Sequence, residues 1–149
     1  MAWVGVILTV WIQQVRLYCI VWDQKRKCWE LPKGGAELNS PRMTTNTIDS
    51  SPFATARGEL WEEAGIWLGW RNWDTFAWLG KYGKLLTRGL KEDRCGWVYT
   101  RLCDHDIVQD DRPDRQWMTF EEYCFLPRRR NDHVDLLACV ETSSYLEDI

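Results

Sequence analysis

The chain has 149 residues, of which 45% are hydrophobic and 28% charged, and its formal net charge is −3. That length and composition describe one folded domain spanning residues 1–149 and exclude a disordered or fibrous chain. The acidic balance argues against non-specific binding to nucleic acid or to an anionic membrane, because either polyanion would repel it.

The first stretch, residues 2–12, is apolar but too short to cross a bilayer. No basic residue precedes it and no small-residue cleavage site follows it. Its alternation of Val4, Val6, Leu8, Val10 and Ile12 predicts a strand. Val15–Trp22 reads as a second strand after a turn at Gln13-Gln14. Asp23–Lys27 is a charged connection, and Trp29-Glu30-Leu31 is a short strand that runs into Pro32. Residues 39–51, rich in Ser, Thr, Asn and Pro, read as a loop.

A helix is expected over Pro52–Ala64. Ser51 suits its N-cap, Pro52 its first position, and Gly65 the left-handed residue just past its end. Thr75–Tyr82 and Gly96–Cys103 read as further strands. Thr119-x-x-Glu122 is a capping box opening a short helix. Asp132–Tyr145 reads as a terminal helix with Val134, Leu137 and Val140 facing inward. This order of elements predicts an α/β fold, a mixed sheet with helices packed on it.

The eleven tryptophans are expected to fill the core and the sheet faces. Cys19, Cys28, Cys95, Cys103, Cys124 and Cys139 show no metal-type spacing, and the chain has only two histidines, so no zinc site is expected. Six thiols in apolar runs suit a reducing, cytoplasmic compartment, although secretion after removal of an earlier signal stays open.

The chemistry concentrates around the middle helix. Glu62 and Glu63 lie three and four residues beyond Glu59, so the three share one helical face, while Phe53, Leu60 and Ala64 fall on another. Adjacent carboxylates repel and raise one another's pKa. A hard divalent cation, Mg²⁺ or Mn²⁺, relieves that repulsion and can polarise a phosphoryl oxygen or activate a water. A solvated acidic surface is the other reading of the helix alone. Upstream, Trp29-Glu30-Leu31-Pro32-Lys33-Gly34-Gly35-Ala36-Glu37 puts a Gly-rich turn directly after a strand, where backbone groups can approach a metal or phosphate closely.

Turn and helix together resemble the Nudix signature G-x5-E-x7-R-E-U-x-E-E-x-G-U, where U is a bulky aliphatic residue. Glu59-Leu60-Trp61-Glu62-Glu63-Ala64-Gly65-Ile66 matches the second half at every fixed position, and Gly34 opens the first. The resemblance implies an α/β/α sandwich and hydrolysis of a diphosphate bond. Glu59, Glu62 and Glu63 would be the catalytic and metal-binding carboxylates, helped by the backbone at Gly34. Acids outside the motif, Glu92, Asp93, Asp104 and Asp106, are further candidates for the proton acceptor.

Two departures stand out. Twenty-five positions separate Gly34 from Glu59 where the pattern has 15, which points to an insertion within Asn39–Ser50. The pattern's Arg, which in the family orients a catalytic Glu, is replaced by Gly58. Arg57 precedes it, so either the Arg is lost or Gly58 is an inserted residue, absorbed as a π-bulge, with Asp49 standing for the first-half acid.

The Trp-x-x-Pro-Lys-Gly turn is similar to those of diadenosine polyphosphate hydrolases, diphosphoinositol polyphosphate phosphohydrolases and mRNA decapping enzymes. The resemblance thus implies a phosphorylated small-molecule substrate, such as a diphosphoinositol polyphosphate or a dinucleoside polyphosphate. Lys33, Arg57, Lys81 and Lys84 would contact it, and Lys81, Lys84, Arg88, Lys91 and Arg94 form a basic stretch suited to a polyanion. Arg128-Arg129-Arg130 would serve similarly or simply precede the last helix. A capped RNA fits the overall acidity less well. A nucleoside-diphosphate sugar, or a non-catalytic Nudix-fold binding module, is the alternative. No membrane partner is expected.

Overall fold

The computed structural model describes residues 3–35, 52–67, 76–80, 95–102, 112–143 and 146. The alternating apolar residues at the start form β1 (Trp3–Ile12), which turns back into β2 (Val15–Asp23) with Ile12 opposite Val15 and Thr9 opposite Tyr18. Gln13 and Gln14 have φ of 51° and 65°. Two successive left-handed residues match the right-handed twist of a tight hairpin. Then follow β3 (Cys28–Glu30), β4 (Lys33–Gly35) and α1 (Pro52–Ala64). The remainder is β5 (Phe76–Gly80), β6 (Cys95–Leu102), β7 (Arg115–Met118), α2 (Phe120–Cys124) and α3 (Asn131–Thr142).

The strands make one mixed sheet in the order β3-β2-β1-β6-β5, with β4 added on β1 and β7 on β2. β1 and β6 run parallel, and the other ladders are antiparallel. The period of two along β1 divides the core. Val4, Val6, Leu8 and Val10 pack with Ala56, Leu60 and Ala64 of α1. Ile7, with Tyr18, Ile20 and Tyr99, packs on the other face with Tyr123 of α2 and Leu136, Leu137 and Val140 of α3. The result is the expected sandwich of helix, sheet and helix.

β4 and β7 were not anticipated as strands. Three and four residues long, they have no period of their own, and distant partners on β1 and β2 define them. α3 ends at Thr142 rather than Tyr145, because Ser143 is extended at φ −85° and ψ 113°. Leu136 faces inward on α3 along with Leu137 and Val140, while Val134 is only partly buried. The capping box is present, with the Thr119 hydroxyl accepting from Glu122 N–H and the Glu122 carboxylate accepting from Thr119 N–H. Ser51, the 39–50 loop and the basic stretch 81–94 lie outside the described residues.

α1 stops where expected. Gly65 has φ of 70°, its N–H donates to Trp61 O at 3.0 Å, and Ile66 N–H donates to Leu60 O at 3.4 Å. That pair of bonds closes the last turn as a glycine cap does. Arg115, buried on β7, adds a bond from Nη1 to the Ala64 carbonyl at 2.5 Å. Cys19, Cys28, Cys124 and Cys139 are free thiols, and burial pushes Cys19 up to about 12. No described helix is long and apolar enough to cross a membrane.

Leu60 is fully buried between α1 and the sheet. Leu60→Ala is expected to lower unfolding stability by about 2–5 kcal/mol, the usual cost of such a cavity, as read from urea denaturation.

Candidate active site

The site is built around the segment from Glu30 to Gly35. Val21 lies opposite Glu30 and Trp22 opposite Trp29, so Glu30 falls on the α1 face and Trp29 on the α3 face. Pro32 has no N–H to offer, and its carbonyl accepts from Val6 N–H at 2.8 Å. The flanking amides reach to opposite sides of the sheet. Leu31 N–H donates to Nδ1 of His133 on α3 at 3.1 Å, and Lys33 N–H donates to Oε2 of Glu63 on α1 at 3.1 Å.

Gly34 pairs with Val4, which places it on the α1 face. The Glu59 carboxyl group stands where a Cβ on Gly34 would have to go. A side chain at this position would have to displace that carboxyl. Glu59 itself is buried, at 4% exposure. Glu63 is half-buried, and burial pushes its carboxyl up to about 8, with the charges of Glu59, Glu30 and Asp23 adding to the rise and the Lys33 amide opposing it. Four carboxylates therefore share the electrostatics of this turn. Glu62 is exposed. The helix thus grades its three glutamates by depth: Glu59 under the turn, Glu63 at its edge and Glu62 toward water. Among the described residues, no group of three or more His, Cys, Asp and Glu side chains stands together as a preformed metal cage.

Glu30 was not singled out in the sequence. It is 6% exposed, its carboxyl is raised by burial and then by Asp23, and Arg130 Nη1 lies 3.4 Å from it. Its signal was present as an acid at a strand position in register with apolar Val21. Arg130, from the triple-Arg run, also clamps Asp132 through Nη2 at 2.6 Å, so it links the start of α3 to the α1 face of the sheet.

Arg57 is buried, with its guanidinium 5.4 Å from the centre of the Trp67 ring. α1 is α-helical throughout, without a π-bulge. Gly58 therefore holds the helical position before Glu59, and Arg57 projects about 100° away from it. Lys33 turns its side chain to the α3 face, where Nζ sits 4.8 Å over the Trp3 ring. There it borders a cavity of about 340 Å³ whose walls include Trp3, Trp97, His133 and Leu136. Trp97 lies across Gly5, where a Cβ would overlap its ring. Lys81, Lys84, Glu92, Asp93, Asp104 and Asp106 lie outside the described residues.

The same arrangement of sheet and helices recurs in solved structures. The likeness to a mutT/nudix family protein from Listeria innocua covers 98% of this chain and 94% of that one, with a TM-score of 0.62 and 17% identity. An Ap4A hydrolase of C. elegans matches over 93% of this chain and 94% of its own, with a TM-score of 0.61 and 13% identity. The chain has the Nudix fold. The NUDIX domain of Shewanella oneidensis NrtR, complexed with ADP ribose, also matches over 93% of this chain and 84% of its own, with a TM-score of 0.53 and 16% identity. No protein-family model and no curated protein matches the chain. At these identities the relationship is one of fold.

The raised Glu63 carboxyl has a thermodynamic sign. Its folded value of about 8 exceeds the ordinary 4.5, so its contribution to stability is complete below 4.5 and is lost as pH rises through 8. Between pH 7 and 9 His133, which burial holds at about 3, is neutral in folded and unfolded chains alike. In chelator, Glu63→Gln is therefore expected to gain on the wild type as pH rises across that window. The gain should reach about 1 kcal/mol per pH unit at most, measured by urea unfolding at each pH.

Proposed function

We propose that this chain is a magnesium-dependent pyrophosphohydrolase that cleaves a diphosphate bond in a phosphate-rich substrate. The observation that carries the reading is the junction of turn and Nudix helix, where Glu59 lies against Gly34 and Glu63 is held by the Lys33 amide. The donors suit a hard cation. All are oxygens, two of the three carboxylates are withdrawn from water, and Glu63 is held up by burial and by neighbouring negative charge that a dication would relieve. Mg²⁺ needs only one or two carboxylates when it retains waters, so a preformed three-carboxylate cage is unnecessary. Glu59, Glu62 and Glu63 would hold the ion beside the Gly34 backbone; Mn²⁺ suits the same set. The chemistry supplied there is polarisation of a phosphoryl oxygen and activation of a water.

The chain's own residues do the rest. Gly34 lets the turn close on Glu59. The Lys33 amide orients Glu63. The Lys33 ammonium itself turns away to the α3 face over Trp3, so at the carboxylates this residue acts through its backbone amide. Between a dinucleoside polyphosphate and a diphosphoinositol polyphosphate, the fold likeness to an Ap4A hydrolase supports the former.

A second reading, a binding module without turnover, rests on Gly58. The Arg that the family pattern places before Glu59 is replaced there by Gly58, and the preceding Arg57 is buried beside Trp67.

The test is incubation with Mg²⁺ and diadenosine polyphosphates, diphosphoinositol polyphosphates, ADP-ribose, a nucleoside-diphosphate sugar and capped RNA. The wild type is expected to release phosphate-containing products from a diadenosine polyphosphate. Glu59→Gln and Glu63→Gln should lose about 100-fold or more in kcat, with Glu62→Gln also reduced. Binding without cleavage of any of them would establish the second reading. Unchanged turnover in all three variants would remove the glutamates from the mechanism.

A further inference from the structure

His133 touches neither Glu59 nor Glu63, yet it sits at the other end of the same backbone segment. It is 1% exposed, in the first turn of α3, with its ring edge-on to Trp97 at 5.0 Å. Its Nδ1 accepts the Leu31 N–H at 3.1 Å. Two residues on, Lys33 N–H donates to Glu63 at 3.1 Å. Between them Pro32 fixes one torsion and its carbonyl is bound by Val6. The turn is therefore held at three consecutive residues, by α3, by β1 and by α1.

We propose that His133 is a positioning residue for the diphosphate-cleaving site, acting through Leu31 and the Pro32–Gly34 turn to aim the Lys33 amide at Glu63 and to hold Gly34 against Glu59. This rests on the reading of Glu59 and Glu63 as the carboxylates that bind Mg²⁺. The geometry makes the assignment specific to the neutral ring. An Nδ1 that accepts must carry no proton, and burial, aided by the charges of Arg130, Lys33 and Arg26 against that of Asp132, keeps the ring neutral down to about pH 3. The clamp therefore stays closed throughout the range in which the enzyme would work. A buried lysine or a protonated histidine at this position would repel the Leu31 N–H instead of binding it.

The experiment compares three proteins with the wild type. His133→Leu removes the acceptor at similar volume. His133→Gln restores a side-chain oxygen that can accept. A backbone ester at Leu31, installed by semisynthesis, deletes the donor and leaves His133 and the core untouched. Mg²⁺ affinity by calorimetry, kcat and KM on a diadenosine polyphosphate, and amide hydrogen exchange are read for each. Loss of one such hydrogen bond is expected to weaken Mg²⁺ binding and kcat by about 10-fold in His133→Leu and in the ester, with KM nearly unchanged. His133→Gln is expected to recover most of that loss. Exchange should accelerate at Lys33, and at Leu31 where its amide survives, while the β1–β6 ladder keeps its protection. If His133→Leu does not fold, the ester carries the test alone. Equal losses in the Leu and Gln variants, exchange that rises uniformly along the chain, or an ester indistinguishable from the wild type would overturn the proposal. A wild type that binds no Mg²⁺ would instead sink the reading of the glutamates, and Lys33 exchange would still report whether the clamp holds.

Discussion

The close approach of Glu59 to Gly34 is the constraint on which the rest of the site depends. A carboxyl group occupies the volume of a missing side chain. This contact fixes the distance between β4 and α1, and β4 in turn is fixed on β1 by three paired residues. The face of α1 that packs on the sheet through Ala56, Leu60 and Ala64 is thereby set in rotation as well as in height. Once that rotation is set, Glu63 meets the Lys33 amide and Glu62 faces water. The fold positions its acids by close packing at Glu59, a backbone amide at Glu63 and an ion pair at Glu30.

That arrangement is electrostatically costly. Glu59, Glu63, Glu30 and Asp23 act on one another across the turn, and burial removes much of the water that would screen them. The protein moderates the cost with a backbone amide at Glu63 and a guanidinium at Glu30.

Much of this was legible in the residues. The period of two in β1, the cap of α1 at Gly65 and the capping box at Thr119 are local codes, and each appears where its residues stand. The helical spacing placed Glu59, Glu62 and Glu63 on one face, but spacing measures angle and not depth. Their separation into buried, half-buried and exposed comes from β4, a strand with no pattern of its own. Glu30 and His133 were missed for the same reason. Each is an unremarkable polar residue in sequence, and each acquires its role from a neighbour on another element, Arg130 for one and the Leu31 amide for the other. The departure at Gly58 could be seen in advance, whereas its outcome depended on whether the helix would bulge. It does not, and Arg57 is carried round to Trp67.

The parallel pairing of β1 with β6 bears on how the chain reaches this state. Thr9 and Tyr99, whose hydroxyls are 3.3 Å apart, are separated by 90 residues of sequence. The central strand of the sheet, β1, finds β2 and β4 close by in sequence, but its long parallel ladder waits for β6. Contacts of such long span slow folding and leave an apolar edge waiting for its mate. The segment most in need of shielding by chaperones is therefore the β1–β2 hairpin, whose outer edge stays open until β6 arrives.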